Sequence, residues 1–205
     1  MDNTNSQTAR FAASEVGDFL ANYRADLNAA LAGVDTGALA RAMDAVADLV
    51  DRGGRIYSLG NGGSAAIADH LCCDWTKLTE VDGVPNILST SLTANMPLYS
   101  AFANDVSFAE VFARQIRLFG KPGDLLVAIS SSGNSDNIVR AAEEAKALGM
   151  TVIGLTGFSG GRLRTTADIS LHVAFDNYGV VEDAHQALMH VIAQRLLAYR
   201  NSGRV

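Results

Sequence analysis

Residues 125–156 read LLVAISSSGNSDNIVRAAEEAKALGMTVIGLT. An apolar run at 125–130 enters a loop of serine, glycine and asparagine. A stretch follows whose apolar residues return every three or four positions, and then a second apolar run at 151–156. A strand without polar alternation is one covered on both faces, and two such strands joined by a helix, here predicted at 135–149, make a parallel β–α–β unit. The stretch therefore predicts an α/β protein of the doubly wound kind, with helices on both faces of a parallel sheet.

Working outward, further short strands are expected at 55–59, 86–89 and 169–173, alternating with helices at 64–78 and 107–119 and a last helix at 181–199. Two helices precede them. Phe11, Val16, Phe19, Leu20, Tyr23, Leu27 and Leu31 recur at helical spacing over 6–33, and a second helix at 36–50 ends before Gly53 and Gly54. The expected organisation is one domain over 1–205, with helices at about 6–52 and an α/β core of about five strands at about 55–200.

The composition narrows the partners. With 205 residues, 48% hydrophobic and 19% charged, the chain can bury one sizeable core, and a net charge of −6 argues against a broad nucleic-acid surface. No apolar run approaches the roughly 18 residues of a membrane span, and the first 20 residues lack a basic start followed by an apolar block. A soluble, cytoplasmic protein without a membrane partner is expected. Cys72 and Cys73 are adjacent, poor geometry for a disulfide between them, and are expected as reduced, buried thiols.

Ligands of doubly wound sheets sit beyond the carboxyl ends of the strands. Two strand ends here share a character: RIYSLGNGGS at 55–64 and LLVAISSSGNS at 125–135 both finish in Gly, Asn and Ser before a helix. Hydroxyl donors gathered at a helix N-terminus suit a phosphate. Gly60, Gly62 and Ala65 also satisfy a relaxed dinucleotide fingerprint, with Glu80 or Asp82 at the spacing of the ribose ligand. Those acids stand in a polar segment and not at the tip of an apolar strand, and the second polar loop has no place in that scheme. No nucleotide cofactor is expected.

GNGGS at 60–64, a helix behind it bearing His70 and Asp74, AND at 103–105, ISSSGNS at 129–135 and a late helix with Glu182, Asp183 and His190 together resemble the sugar isomerase (SIS) domain. Within it they resemble the phosphoheptose isomerase branch, from about Ala38 to the C-terminal helix. The resemblance implies a three-layer fold, a homotetramer and active sites where subunits meet. It assigns Asn61, Gly62, Gly63 and Ser64 to substrate contact, Asn104 and Asp105 to the sugar, and Ser130, Ser131, Ser132 and Ser135 to the phosphate. Asp74 and His190 would be the catalytic pair, with Asp74 and Glu182 also against the substrate. It implies an aldose/ketose isomerisation, sedoheptulose 7-phosphate to D-glycero-D-manno-heptose 7-phosphate.

The chemistry supports this from the residues themselves. Moving a carbonyl between C1 and C2 through an enediol calls for a base, a proton shuttle and a group that polarises the carbonyl. His70 and Asp74, at i and i+4, share a helix face, while Glu182 and His190 are a little over two turns apart on the last helix. Two imidazoles and two carboxylates make a first shell for Zn²⁺, and some relatives in the resemblance bind zinc at these four positions. Taken singly, His70 reads as a core residue, Glu182 equally as a first-turn acid or a site residue, Asp69 as a solvated or capping group, and His172 and His185 as structural.

The chain also departs from the pattern it resembles. Asp74 stands where the branch has glutamate, Glu182 where it has glutamine, and Ser131 where threonine is common. Gly179 stands where an acid is usual, and Leu78, beside Lys77, where an arginine is usual. The alternative function is a non-catalytic SIS-domain sugar-phosphate sensor or a tetramer binding the replication initiator. An acid and a histidine at 74 and 190 favour the enzyme.

Overall fold

The structure, a computed structural model, describes residues 15–202. Two helices lead: α1 (Val16–Ala32) and α2 (Thr36–Asp51), the second capped by Asp35, whose carboxylate accepts from the Gly37 N–H at 2.8 Å. The expected helix at 6–33 is seen from Val16 onward, and its residues 6–14, with Phe11, lie outside the described residues. The core then runs β1 (Arg55–Leu59), α3 (Gly63–Cys73), β2 (Leu88–Ser91), α4 (Met96–Asp105), α5 (Val111–Phe119), β3 (Leu125–Ser130), α6 (Asp136–Ala147), β4 (Thr151–Thr156), α7 (Gly161–Thr166), β5 (Ile169–His172) and α8 (Tyr178–Asn201). All five strands are parallel, in the order β2-β1-β3-β4-β5.

The central position of β3 explains its unbroken apolar run. Leu125, Val127 and Ile129 face a core closed by α2, α3 and α8, while Leu126 and Ala128 face a second core closed by α5, α6 and α7. All six residues of β3 are buried, whereas the edge strands β2 and β5 have partly exposed side chains. Burial of a full Leu, Ile or Val side chain is worth about 1.5–3 kcal/mol, so the two cores together fix the register from both faces.

Several elements differ in detail from expectation. β2 begins at Leu88, two residues beyond its expected start, because it pairs in register with Arg55 to Ser58 after Pro85 and Asn86. The helix expected at 107–119 opens with a 3₁₀ turn, Phe108–Glu110, and that expected at 64–78 widens after Cys73 into a π turn, Asp74–Leu78. α8 begins at Tyr178 because the Asn177 side chain caps it, accepting from the Val180 N–H at 3.1 Å.

Candidate active site

The carboxyl ends of β1 and β3 are neighbours in the sheet, so their two polar loops open onto one cleft. Gly62 caps α3 at φ +55, a conformation that favours glycine. In the second loop Gly133 has φ +66, and a Cβ there would lie 1.9 Å from the Gly160 carbonyl oxygen. The serine loop is thereby pressed onto the turn before α7, where the Leu163 N–H donates to the Gly133 carbonyl at 2.9 Å and the Gly157 N–H to that of Ser131 at 2.8 Å. The two loops are also tied to each other: Asn61 and buried Asn137 exchange reciprocal amide hydrogen bonds of 2.9 Å.

Between the loops lies a cavity of about 170 Å³, lined by Asn61 and Ser64 from the first, Ser130, Ser131, Ser132 and Ser135 from the second, and Tyr178 and Glu182 from α8. Ser130 accepts from the Gly133 N–H at 3.2 Å and Ser132 from that of Asn134 at 3.3 Å, bonds that shape the loop. Ser131 lines the cavity, and its hydroxyl is buried without a hydrogen-bond partner. An unsatisfied buried hydroxyl there, beside the N-terminus of α6, has the properties of an anion ligand. Asp136, the first residue of α6, would oppose an anion. Arg162 and Arg140, each 2.9 Å from its carboxylate, counter that charge and hold the carboxyl below its usual range.

The second group of side chains forms where α3 meets α8. The Trp75 indole N–H donates to the Met189 carbonyl at 3.2 Å, pinning the π turn to α8. Asp74 then lies between two imidazoles: Oδ1 is 3.3 Å from His70 Nε2 and Oδ2 is 3.0 Å from His190 Nδ1. The far nitrogens of both rings, His70 Nδ1 and His190 Nε2, each lie 3.0 Å from the Gln186 side-chain nitrogen. The rings meet edge to face, 5.0 Å between centroids.

His70, Asp74 and His190 offer ligand atoms within 4.8 Å of one another, and two imidazoles with a carboxylate match the donor set of a three-ligand metal centre. These residues fit a metal ion. Among the described residues Glu182 is not part of this group. It precedes His190 by eight residues, about 12 Å along a helix axis, and lines the phosphate-sized cavity instead. Its carboxylate sits where a Cβ on Gly63 would be, 2.2 Å from Oε2, so the glycine makes room for the acid. Burial, and then the charge of Asp183, push the Glu182 carboxyl up.

Other expected residues fall elsewhere. Asn104 and Asp105 are exposed at the end of α4, bonded to each other at 2.8 Å, and do not line this cavity. Asp69 accepts from the Thr93 hydroxyl, tying α3 to the loop after β2. His185 is fully buried, and His172 meets the Thr156 hydroxyl at 3.0 Å. Cys72 packs inward, 3.2 Å from the Ser58 hydroxyl, but Cys73 is exposed, because adjacent helical residues point about 100° apart. At Gly179 a Cβ would meet the Tyr23 hydroxyl at 3.1 Å, and that hydroxyl donates to Asp183 at 2.6 Å. Lys77 is exposed.

Gln186, Asn137 and Tyr178 were not anticipated. The spacing of Glu182, Gln186 and His190, four residues each, does place the glutamine on the same face as both. Tyr178 is four residues before Glu182, and its ring packs tilted against that of Phe158, 4.7 Å between centroids; Phe158 holds a left-handed φ of +49. Asn137 follows the serine loop directly and carries no signal separate from it.

Residues 19–157 match the SIS domain family. The chain is 38% identical over 149 residues to a phosphoheptose isomerase of Desulfovibrio desulfuricans, covering 73% of this chain and 70% of that one. It is 40% identical over 144 residues to one of Mycobacterium tuberculosis, covering 70% and 73%. The solved phosphoheptose isomerase of Neisseria gonorrhoeae superposes with a TM-score of 0.81 at 29% identity, over 89% of this chain and 98% of that one. The chain belongs to the SIS-domain family, in the branch of the phosphoheptose isomerases.

Proposed function

We propose that the cleft isomerises sedoheptulose 7-phosphate to D-glycero-D-manno-heptose 7-phosphate by proton transfer through an enediol. The relatives named above support an aldose–ketose isomerase. The observation that carries the reading is the ladder on α8: Glu182 reaches the serine-lined cavity while His190, two turns on, pairs with Asp74. One end of the cleft suits a phosphate and the other suits proton transfer, as a long sugar phosphate with its carbonyl at the far end requires.

Ser130, Ser131, Ser132 and Ser135, with the N-terminus of α6, bind the phosphate, and Asn61, Gly62, Gly63 and Ser64 present polar backbone and side-chain groups to the sugar. Asp74 takes the proton from carbon; each of its oxygens accepts one imidazole N–H and keeps a further lone pair for the substrate. His190 moves the proton between the two substrate oxygens. A Zn²⁺ held by His70, Asp74 and His190 would require imidazole lone pairs in place of those N–H groups, and when bound would polarise the carbonyl. Asn104 and Asp105 reach the sugar in a neighbouring subunit of a homotetramer.

Incubating the protein with ketose phosphates of five to seven carbons, with and without zinc, tests the reading. Turnover of the seven-carbon substrate is expected, and Asp74→Asn should abolish it while sugar-phosphate binding persists, because the amide keeps the shape and loses the basicity. Absence of turnover on every sugar phosphate would favour a binding protein instead.

A further inference from the structure

Gln186 is the group in the catalytic cluster to which the reaction above gives no part. The proton count around it is nonetheless closed. As a carboxylate Asp74 only accepts, so His70 Nε2 and His190 Nδ1, which face its two oxygens at 3.3 and 3.0 Å, each carry a hydrogen. A neutral imidazole has one N–H, which leaves lone pairs on His70 Nδ1 and His190 Nε2. Both of those atoms lie 3.0 Å from the Gln186 side-chain nitrogen, and that amide has two hydrogens to give. Turned end for end, the amide would set its carbonyl oxygen against two lone pairs, so the proton count assigns its orientation.

We propose that in the metal-free protein Gln186 is a positioning residue for the isomerisation: its two amide hydrogens hold His70 as the Nε2–H tautomer and His190 as the Nδ1–H tautomer. Both imidazole lone pairs are thereby directed away from Asp74 toward one place, the Gln186 amide. An O–H of the enediol takes the place of an amide hydrogen there and finds an acceptor already in position. Without Gln186 each ring is free to flip or to exchange its proton between nitrogens, and a fraction of molecules presents an N–H where the reaction needs a lone pair. This kinetic role rests on the isomerase reading; the tautomers themselves do not.

The experiment uses the full chain, freed of metal by chelation, with ¹⁵N-labelled histidine, its four histidines assigned by single His→Gln variants. Long-range ¹H–¹⁵N spectra at roughly pH 8.5 distinguish protonated from unprotonated ring nitrogens. The expected result is Nε2–H at His70 and Nδ1–H at His190. Gln186→Leu should give mixed tautomers at both rings, and so should Gln186→Glu, whose carboxylate competes with Asp74 for the single N–H of each ring. Both variants should lose about tenfold or more in kcat with little change in KM, because the serine loop is untouched. The same tautomer at both rings of the parent chain, or unaltered tautomers in both variants, would overturn the proposal. If the parent chain isomerises no sugar phosphate, the functional reading fails while the spectra still decide the tautomers.

Discussion

Ser131 and His185 are buried polar side chains whose replacement should have opposite consequences. The Ser131 hydroxyl has no protein partner, so removing it takes away no native hydrogen bond and relieves a desolvated group. Ser131→Ala should therefore leave the melting temperature unchanged or slightly higher, while sugar-phosphate affinity falls about tenfold, the loss of one hydrogen bond to a charged group. Titration calorimetry beside thermal melts checks both; unaltered affinity would remove Ser131 from the phosphate site. His185 is different. Burial pushes its imidazole down to about 4 from 6.5. In the unfolded chain the ring binds a proton near pH 6.5, and the folded protein does not until about pH 4. Stability from this group is complete above pH 6.5, declines as pH falls toward 4, and amounts to on the order of 3 kcal/mol. His185→Leu, which removes the titration, should flatten that decline, as urea unfolding at several pH values would measure. An equally steep decline in the variant would place the acid sensitivity elsewhere.

At the scale of elements, the active cleft depends on two loops holding each other. Asn137 supplies the first turn of α6 with a side chain that locks Asn61 through two 2.9 Å hydrogen bonds. Asn137→Ala should free the first loop, raising KM for sugar phosphate about tenfold by misplacing Asn61 with little loss of helix content in circular dichroism; an unchanged KM would show that the loop holds its shape alone. β3 and β4 are legible in sequence because helices cover both of their faces and no polar residue need alternate. α4 and α7 are not: α4 has no buried residue and α7 only Leu163, so neither carries an apolar stripe to read. The serine loop is legible because its hydroxyls exceed what a helix cap requires. The composition of the His/Asp cluster is only partly so, since which side chain of α8 meets α3 is set by packing such as Trp75 against Met189, and spacing alone does not separate Glu182 from Gln186.

For the whole molecule, the separation of the phosphate cavity from Asp74 and His190 sets a preferred substrate length. Five-carbon ketose phosphates should turn over far less well than seven-carbon ones, about 100-fold in kcat/KM, because a phosphate seated at Ser131 leaves a short sugar's carbonyl out of reach; equal rates for the two lengths would contradict that separation. Asn104 and Asp105, both expected at the sugar, do not line the cavity of their own subunit. α4, which carries Asn104 and Asp105, has no buried residue, and Met96, Val106 and Phe108 are exposed along it and just beyond it. An apolar surface of this kind around polar side chains suits contact with a second subunit. If Asp105 serves a neighbour's cleft, Asp74→Asn and Asp105→Ala damage different contributors to each site. Assembling the two inactive variants at equal amounts then leaves a site intact whenever an unaltered Asp74 meets an unaltered Asp105, about one site in four for random mixing of subunits. Co-expression and purification of the mixed oligomer should recover roughly a quarter of the parent activity on that count. No recovery would mean that Asp105 acts within its own subunit or takes no part in the reaction.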